Sequence, residues 1–280
     1  MSNRARRMVS HLLDPMRNQP PFVLWGNEPM NGGNYLFLWA TAWARTRREQ
    51  VQWLVRYKPK MEPWLAEFPA LRALTVREED IGFLQYRTIE WGQDVGKDFF
   101  LAELKEFVHE VLLVGSRFTE RWDQVFQEAT VVNVRRADYY SNPRHRARYG
   151  FDVEGYVDAA LSRVDDSASS PVIFVSDDPT WCMEKLAPRL VDVETFAMPS
   201  PHDMFQDLAQ LSNARNLILA NSTFSYWGGY IASARPAGQR PRRVIAPLFF
   251  ARELYAGEES PLLLGEWMGI PDDEYGSSRI

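Results

Sequence analysis

The sequence predicts an α/β protein of two Rossmann-like domains, the C-terminal one a doubly wound parallel sheet. Chain length, a strictly alternating strand and helix pattern, and short unbroken apolar runs carry that prediction. At 280 residues the chain exceeds one compact domain, and two domains of roughly 100–150 residues follow from that size. Beyond residue 130, strands expected at 130–134, 172–175, 194–198, 216–220 and 244–246 alternate with helices at 153–164, 179–188, 203–211 and 222–234. Alternation of this kind implies a parallel sheet covered on both faces by helices. We place the division between Arg117 and Thr130, giving domains 1–124 and 125–280.

The N-terminal half opens with a short strand, Phe22-Val23-Leu24-Trp25, and a turn-rich loop from Gly26 to Gly33. Leu36, Phe37, Ala40, Trp43 and Ala44 recur at helical spacing, and Arg45 to Arg48 suit the end of that helix, where the macrodipole favours cations. A second strand is expected at 51–55. Residues 58–93 are irregular, broken by Pro59, Pro63 and Pro69. A helix at 98–117 follows, its stripe running from Phe99 to Leu112 behind an expected Asp98 cap.

Composition narrows the partners. Apolar content of 45% with ten Trp fits a well-packed protein. A net charge of −5 speaks against a general nucleic-acid binder, which needs an excess of Lys and Arg. One cysteine, Cys182, permits no internal disulfide, and four His give no zinc-like spacing. Residues 1–16 are basic without an apolar signal core, and no stretch approaches the roughly 20 apolar residues of a membrane span. The expectation is a cytoplasmic protein without a transmembrane segment, with peripheral attachment to the cytoplasmic membrane face left open.

Ligands of such sheets bind beyond the carboxyl ends of the strands, near a switch point in strand order. Three strand ends are polar: Arg135, Arg136 and Asp138; Ser176, Asp177 and Asp178; Asn221, Ser222, Thr223 and Ser225. Successive side chains at a strand end point oppositely, so one arginine of the pair can face a ligand while the other pairs locally. That arginine would neutralise a diphosphate leaving group in place of a metal ion; a plain surface Arg–Asp pair is the competing reading. Asp178 before Pro179 has the form of a helix cap, whereas Asp177 has no such duty and could read guanine. The hydroxyls and N–H groups opening the helix after Asn221 suit pyrophosphate, although capping accounts for one of them. His202 and Asp203 read as a helix cap, and Asn34 follows two glycines at the start of the first helix. No Gly-x-Gly-x-x-Gly, Walker loop, Gly-x-Ser-x-Gly, His-Glu-x-x-His or Asp-x-Asp is present.

Four separated segments resemble the alpha-1,2-fucosyltransferase family. Gly33-Asn34-Tyr35-Leu36-Phe37 is similar to its Gly-Asn-Gln-(Leu/Met)-Phe, and Asn133-Val134-Arg135-Arg136-Ala137-Asp138-Tyr139 to its His-Val-Arg-Arg-Gly-Asp-Tyr. Ser176-Asp177-Asp178 with Trp181-Cys182, and Asn221-Ser222-Thr223-Phe224-Ser225-Tyr226-Trp227-Gly228, continue the match in order. The resemblance implies a GT-B-like fold with the two domains facing a cleft, and a GDP-fucose donor. It also implies no metal or other cofactor, and inverting transfer to a sugar hydroxyl of a glycan acceptor. It carries the phosphate grip onto Arg135 as the catalytic residue, the guanine reader onto Asp177 or Asp178, and a fucose neighbour onto Asn34. Asn133 stands where the family has histidine, Ala137 where it has glycine and Tyr35 where it has glutamine, so a different nucleotide sugar, or binding without turnover, stays open. Glu28 and His145 flank the matched segments as candidate bases, neither fixed by the resemblance.

Overall fold

The computed structural model describes residues 16–27, 30–165, 170–198, 203–252, 254 and 259–275. The chain forms two compact units, Met1–Ser116 and Arg117–Ile280. The second unit therefore takes in residues 117–124, which the sequence division assigns to the first. The reason is visible in their hydrogen bonds: Trp122 Nε1 donates to Ser212 Oγ at 3.0 Å, and Asn213 Nδ2 to the Asp123 carbonyl at 2.7 Å.

In the first unit a four-stranded parallel sheet has the order β3-β2-β1-β4. Its strands are β1 Gln19–Gly26, β2 Trp53–Arg56, β3 Thr75–Val76 and β4 Gln85–Glu90. Helix α1, Asn34–Glu49, buries every residue from Tyr35 to Arg45, and Arg47 and Arg48 occupy its last turn. It ends at Gln50 in the left-handed conformation, φ 56°. A short helix α2, Glu62–Glu67, precedes β3. Helix α3, Leu101–Phe107, continues as a wider π-wound turn over Val108–Leu113.

Asp98 is not the cap of that helix. Phe100 takes the cap position, its N–H donating to Glu103 Oε2 at 2.6 Å. Asp98 is buried instead, bonded to Arg45, whose guanidinium also grips Glu90 through 3.1 and 2.6 Å contacts. Burial works against the Arg45 charge, but its two carboxylate partners outweigh it and hold the guanidinium above its ordinary range. Burial also opposes ionisation of Glu90, and the bond to Arg45 overcomes it, so Glu90 is held below the usual range. Asp98 is pushed up, chiefly by burial and further by the neighbouring Glu90.

The second unit carries a six-stranded parallel sheet of order β10-β9-β8-β5-β6-β7. The strands are β5 Thr130–Val134, β6 Val172–Ser176, β7 Thr195–Ala197, β8 Asn216–Ile218, β9 Arg243–Pro247 and β10 Met268–Ile270. The chain winds outward from β5 to β7, returns to β8 on the other side and winds outward again. This is the doubly wound order, with its switch point between β5 and β8. β5 and β6 are buried at every residue, as their unbroken apolar runs predict.

Seven helices accompany this sheet among the described residues: α4 Gln124–Glu128, α5 Ala137–Ser141, α6 Pro143–Tyr149, α7 Val153–Leu161, α8 Pro179–Trp181, α9 Met204–Ser212 and α10 Thr223–Ala234. The helix expected at 179–188 is a composite. After α8 it widens to a π-wound turn over Cys182–Leu186 and tightens over Ala187–Arg189, because Pro188 brings no N–H and crowds the carbonyl four residues back. Asp203 caps α9, accepting from the Phe205 N–H at 3.0 Å; His202 lies outside the described residues. No helix among the described residues is long and apolar enough to cross a membrane.

Replacing Arg45 by Leu would leave the buried Asp98 and the half-buried Glu90 facing each other without a cation. We expect a loss of about 3–5 kcal/mol of unfolding free energy, read from urea titration of the full chain. An unchanged midpoint would mean that the triad is not a determinant of stability.

Candidate active site at the switch point

β5 ends between its neighbours β6 and β8, so the residues after all three strands meet on one rim. Arg135 is the outward-facing arginine. Its guanidinium bonds Asp138 at 2.5 Å and Asp177 at 2.6 Å, with the side chain still 38% exposed. Arg136 turns away: it lies 3.9 Å from the centre of the Trp181 ring and 4.5 Å from that of Tyr140, with Nε 3.3 Å from Asp178. Both arginines thus pair locally, Arg135 with Asp138 and Asp177 and Arg136 with Asp178, and Arg135 is the more exposed of the two.

Asp177 ties two strand ends together. Its Oδ1 accepts from the backbone N–H of Arg136 at 2.8 Å and of Ala137 at 3.2 Å, while Oδ2 meets Arg135. Asp178 does cap its helix, accepting from the Trp181 N–H at 3.2 Å. Ser176 is buried, and its hydroxyl accepts from the Asp178 N–H at 3.0 Å. Behind it, burial pushes the Cys182 thiol up to about 11, far from the thiolate form a nucleophile needs.

The loop after β8 is built from the inside. Asn221 has no exposed surface and donates through Nδ2 to the carbonyls of Tyr149 at 2.8 Å and Phe250 at 2.9 Å. Ser225 is likewise buried, its hydroxyl accepting from the Ala220 N–H at 2.9 Å. Asn133 is buried in β5 and donates to the Val175 carbonyl at 2.8 Å. These side chains, with Ser176, shape the rim from within rather than presenting themselves to a ligand. Ser222, though buried as well, and the half-buried Thr223 differ in their bonding. Ser222 precedes α10 without making a side-chain cap bond, which leaves the first N–H groups of a twelve-residue helix beside the switch point.

An aromatic group, missed in the sequence, adjoins Arg135. Tyr139 stacks on Tyr149 with ring centres 4.7 Å apart, and Tyr149 meets His145 and Phe250 edge-on, each at 6.2 Å. The Arg135 guanidinium lies 5.6 Å from the centre of the Tyr139 ring. The spacing of Tyr139 and Tyr149 across two short polar helices gives no periodic signal. His145 Nδ1 is 3.4 Å from Asp138 Oδ2, which links it to Arg135 through one carboxylate. Asn34 belongs to the first unit, where its Oδ1 accepts from Gln93 Nε2 at 2.7 Å. Glu28 lies outside the described residues.

Residues 95–270 match the model of glycosyl transferase family 11. The chain belongs to this family. Its relatives include an O-antigen biosynthesis glycosyltransferase, WbnK, of Escherichia coli, 30% identical over 50% of this chain and 44% of the relative. Galactoside alpha-(1,2)-fucosyltransferase 2 of Mus musculus is 31% identical over 51% of this chain and 40% of its own length. An alpha-1,2-colitosyltransferase of Escherichia coli is 33% identical over 36% and 35%. Each match spans less than half of the relative. Crystal structures of POFUT1 with GDP align over 86% of this chain and 78% of theirs at 16% identity, with a TM-score of 0.39, too low to carry an argument.

Asn221→Ala removes the donor of two carbonyls, and we expect a loss of about 1–3 kcal/mol for the buried acceptor left unpaired, with a lower thermal midpoint. Ser222→Ala, which loses no cap bond, should leave the midpoint within about 0.5 kcal/mol of wild type. Equal effects of the two substitutions would contradict this division of labour.

Proposed function

We propose that this family 11 chain is an inverting glycosyltransferase that moves L-fucose from GDP-fucose to a hydroxyl of a glycan acceptor, a galactoside first among candidates, without a metal ion. The observation that carries the reading is Arg135, a half-exposed guanidinium held on two carboxylates at the switch point of a doubly wound sheet. Two parallel-sheet units are what the GT-B class requires, and the relatives named for alpha-1,2 transfer agree with the donor and linkage.

In this reading the bond between the fucose anomeric carbon and the β-phosphate oxygen breaks as the acceptor oxygen bonds that carbon from the opposite face. Negative charge collects on the leaving GDP. Arg135 neutralises it, and the N–H groups and hydroxyls of Ser222 and Thr223 at the start of α10 add donors. The arriving diphosphate competes with Asp138 and Asp177 for the guanidinium. Asp177 is fixed by two backbone N–H groups, so Asp138, held by side chains alone, is the partner that yields. Of Asp177 and Asp178, the second is the more exposed, 38% against 22%, and is better placed to accept from guanine. Asn34 is the fucose neighbour in the first unit.

His145, joined to Arg135 through Asp138, stands on the leaving-group side, whereas inversion needs the acceptor's proton removed on the other. That favours a base elsewhere, and Glu28 keeps its candidacy. The chain would act at the cytoplasmic face of a membrane on a polysaccharide or glycolipid precursor.

A second donor is favoured by one observation, the colitosyltransferase among the relatives. Thermal shift with a nucleotide panel separates the two, since the cognate nucleotide raises the midpoint most. Arg135→Ala should lower turnover with GDP-fucose by about two to three orders of magnitude; turnover near wild type would remove Arg135 from the mechanism. Wild-type turnover should persist in excess EDTA, and its abolition there would overturn the metal-free reading.

A further inference from the structure

The first unit holds a large aromatic side chain at the carboxyl edge of its sheet that the fold leaves nearly half exposed. Trp91 follows the last residue of β4 and is 46% exposed. It packs on no ring and no cation, and its indole N–H has no partner among the described residues. Its neighbours in sequence are all fastened. Glu90 is gripped by Arg45. Gly92, at φ +70°, lies so close on α1 that a Cβ there would stand 3.0 Å from Thr41 Oγ1 and 3.3 Å from the Phe37 carbonyl. Gln93 donates to Asn34 at the start of α1. The backbone around Trp91 is thus held at three points while nearly half of the residue's surface stays in water, an arrangement that costs hydrophobic burial.

The chemistry beside it selects the ligand. The Gln93–Asn34 bond engages one N–H and one oxygen of these half-buried amides, which leaves Gln93 Oε1 and the Asn34 amide N–H groups outside that bond. The cations nearby are matched, Arg45 by Glu90 and Asp98 and Lys97 by Asp94 at 3.6 Å. A phosphate finds no unmatched cation there. A neutral ring with an apolar face of C–H groups and a rim of hydroxyls fits all three features, the indole face taking the ring and the amides the hydroxyls.

We propose that Trp91, with Gln93 and Asn34, is the binding platform for the pyranose ring of the acceptor. The inference rests on the transferase reading for the identity of that ring, and two separate readouts keep them apart.

Saturation-transfer NMR of methyl β-D-galactopyranoside on the full chain, with no nucleotide present, reads the platform alone. Ring-proton signals should be present with wild type, lost with Trp91→Ala and retained with Trp91→Phe. In turnover assays Trp91→Ala should raise the acceptor KM about five- to tenfold, the worth of one aromatic contact, with the GDP dissociation constant unchanged. Equal sugar signals in wild type and Trp91→Ala, no signal with wild type, or a parallel loss of GDP affinity would overturn the assignment. Failure of wild type to bind GDP would sink the transferase reading and leave the Trp91-dependent sugar signal to decide the platform.

Discussion

The Asp177 carboxylate is the constraint on which the candidate site depends. It follows β6, accepts two backbone N–H groups from the turn after β5 and bonds the Arg135 guanidinium. Adjacent strand ends of a parallel sheet are free to diverge once the ladder stops; this carboxylate stops them diverging. Its ion pair with Arg135 adds little stability, because the arginine side chain is 38% exposed and screened by water. What it supplies is orientation. A guanidinium already aimed needs no reorganisation when charge develops on a leaving group, and such preorganisation is where electrostatic catalysis draws its advantage.

The two units treat charge differently. In the first, Arg45 and Asp98 are buried and Glu90 half-buried beside them, so removal of Arg45 leaves unmatched charge below the surface. In the second, Arg135 stays at the surface with two acidic partners, one fixed by the backbone and one not. The buried set holds the end of β4 in place; the exposed set can exchange a carboxylate for a phosphate.

The doubly wound sheet was legible because strands buried on both faces read as unbroken apolar runs, as at 130–134 and 172–176. Legible too were the rim residues that follow such strands. β4 was not: Gln85 to Glu90 lies at a sheet edge with Tyr86 and Ile89 exposed, so neither face is consistently apolar and the period of two disappears. Helices α5 and α6 escaped for a related reason, being polar nearly all round. Asp98 looked like a cap because a carboxylate before an apolar stripe usually is one; only the tertiary partner Arg45, far away in sequence, draws it inside. For Asn133, Ser176, Asn221 and Ser225 residue type announced polarity, but burial, which decides whether a polar group meets a ligand or the protein's own backbone, comes from tertiary packing.

The central claim is that Arg135 grips the β-phosphate of a guanine nucleotide. Calorimetric titration of GDP and GMP into wild type and Arg135→Ala tests it most directly, because the two nucleotides differ by that phosphate alone. The account predicts that wild type binds GDP more tightly than GMP by at least about tenfold, near 1.4 kcal/mol, and that the preference collapses in Arg135→Ala while GMP affinity is kept. The same GDP preference in both proteins would contradict it.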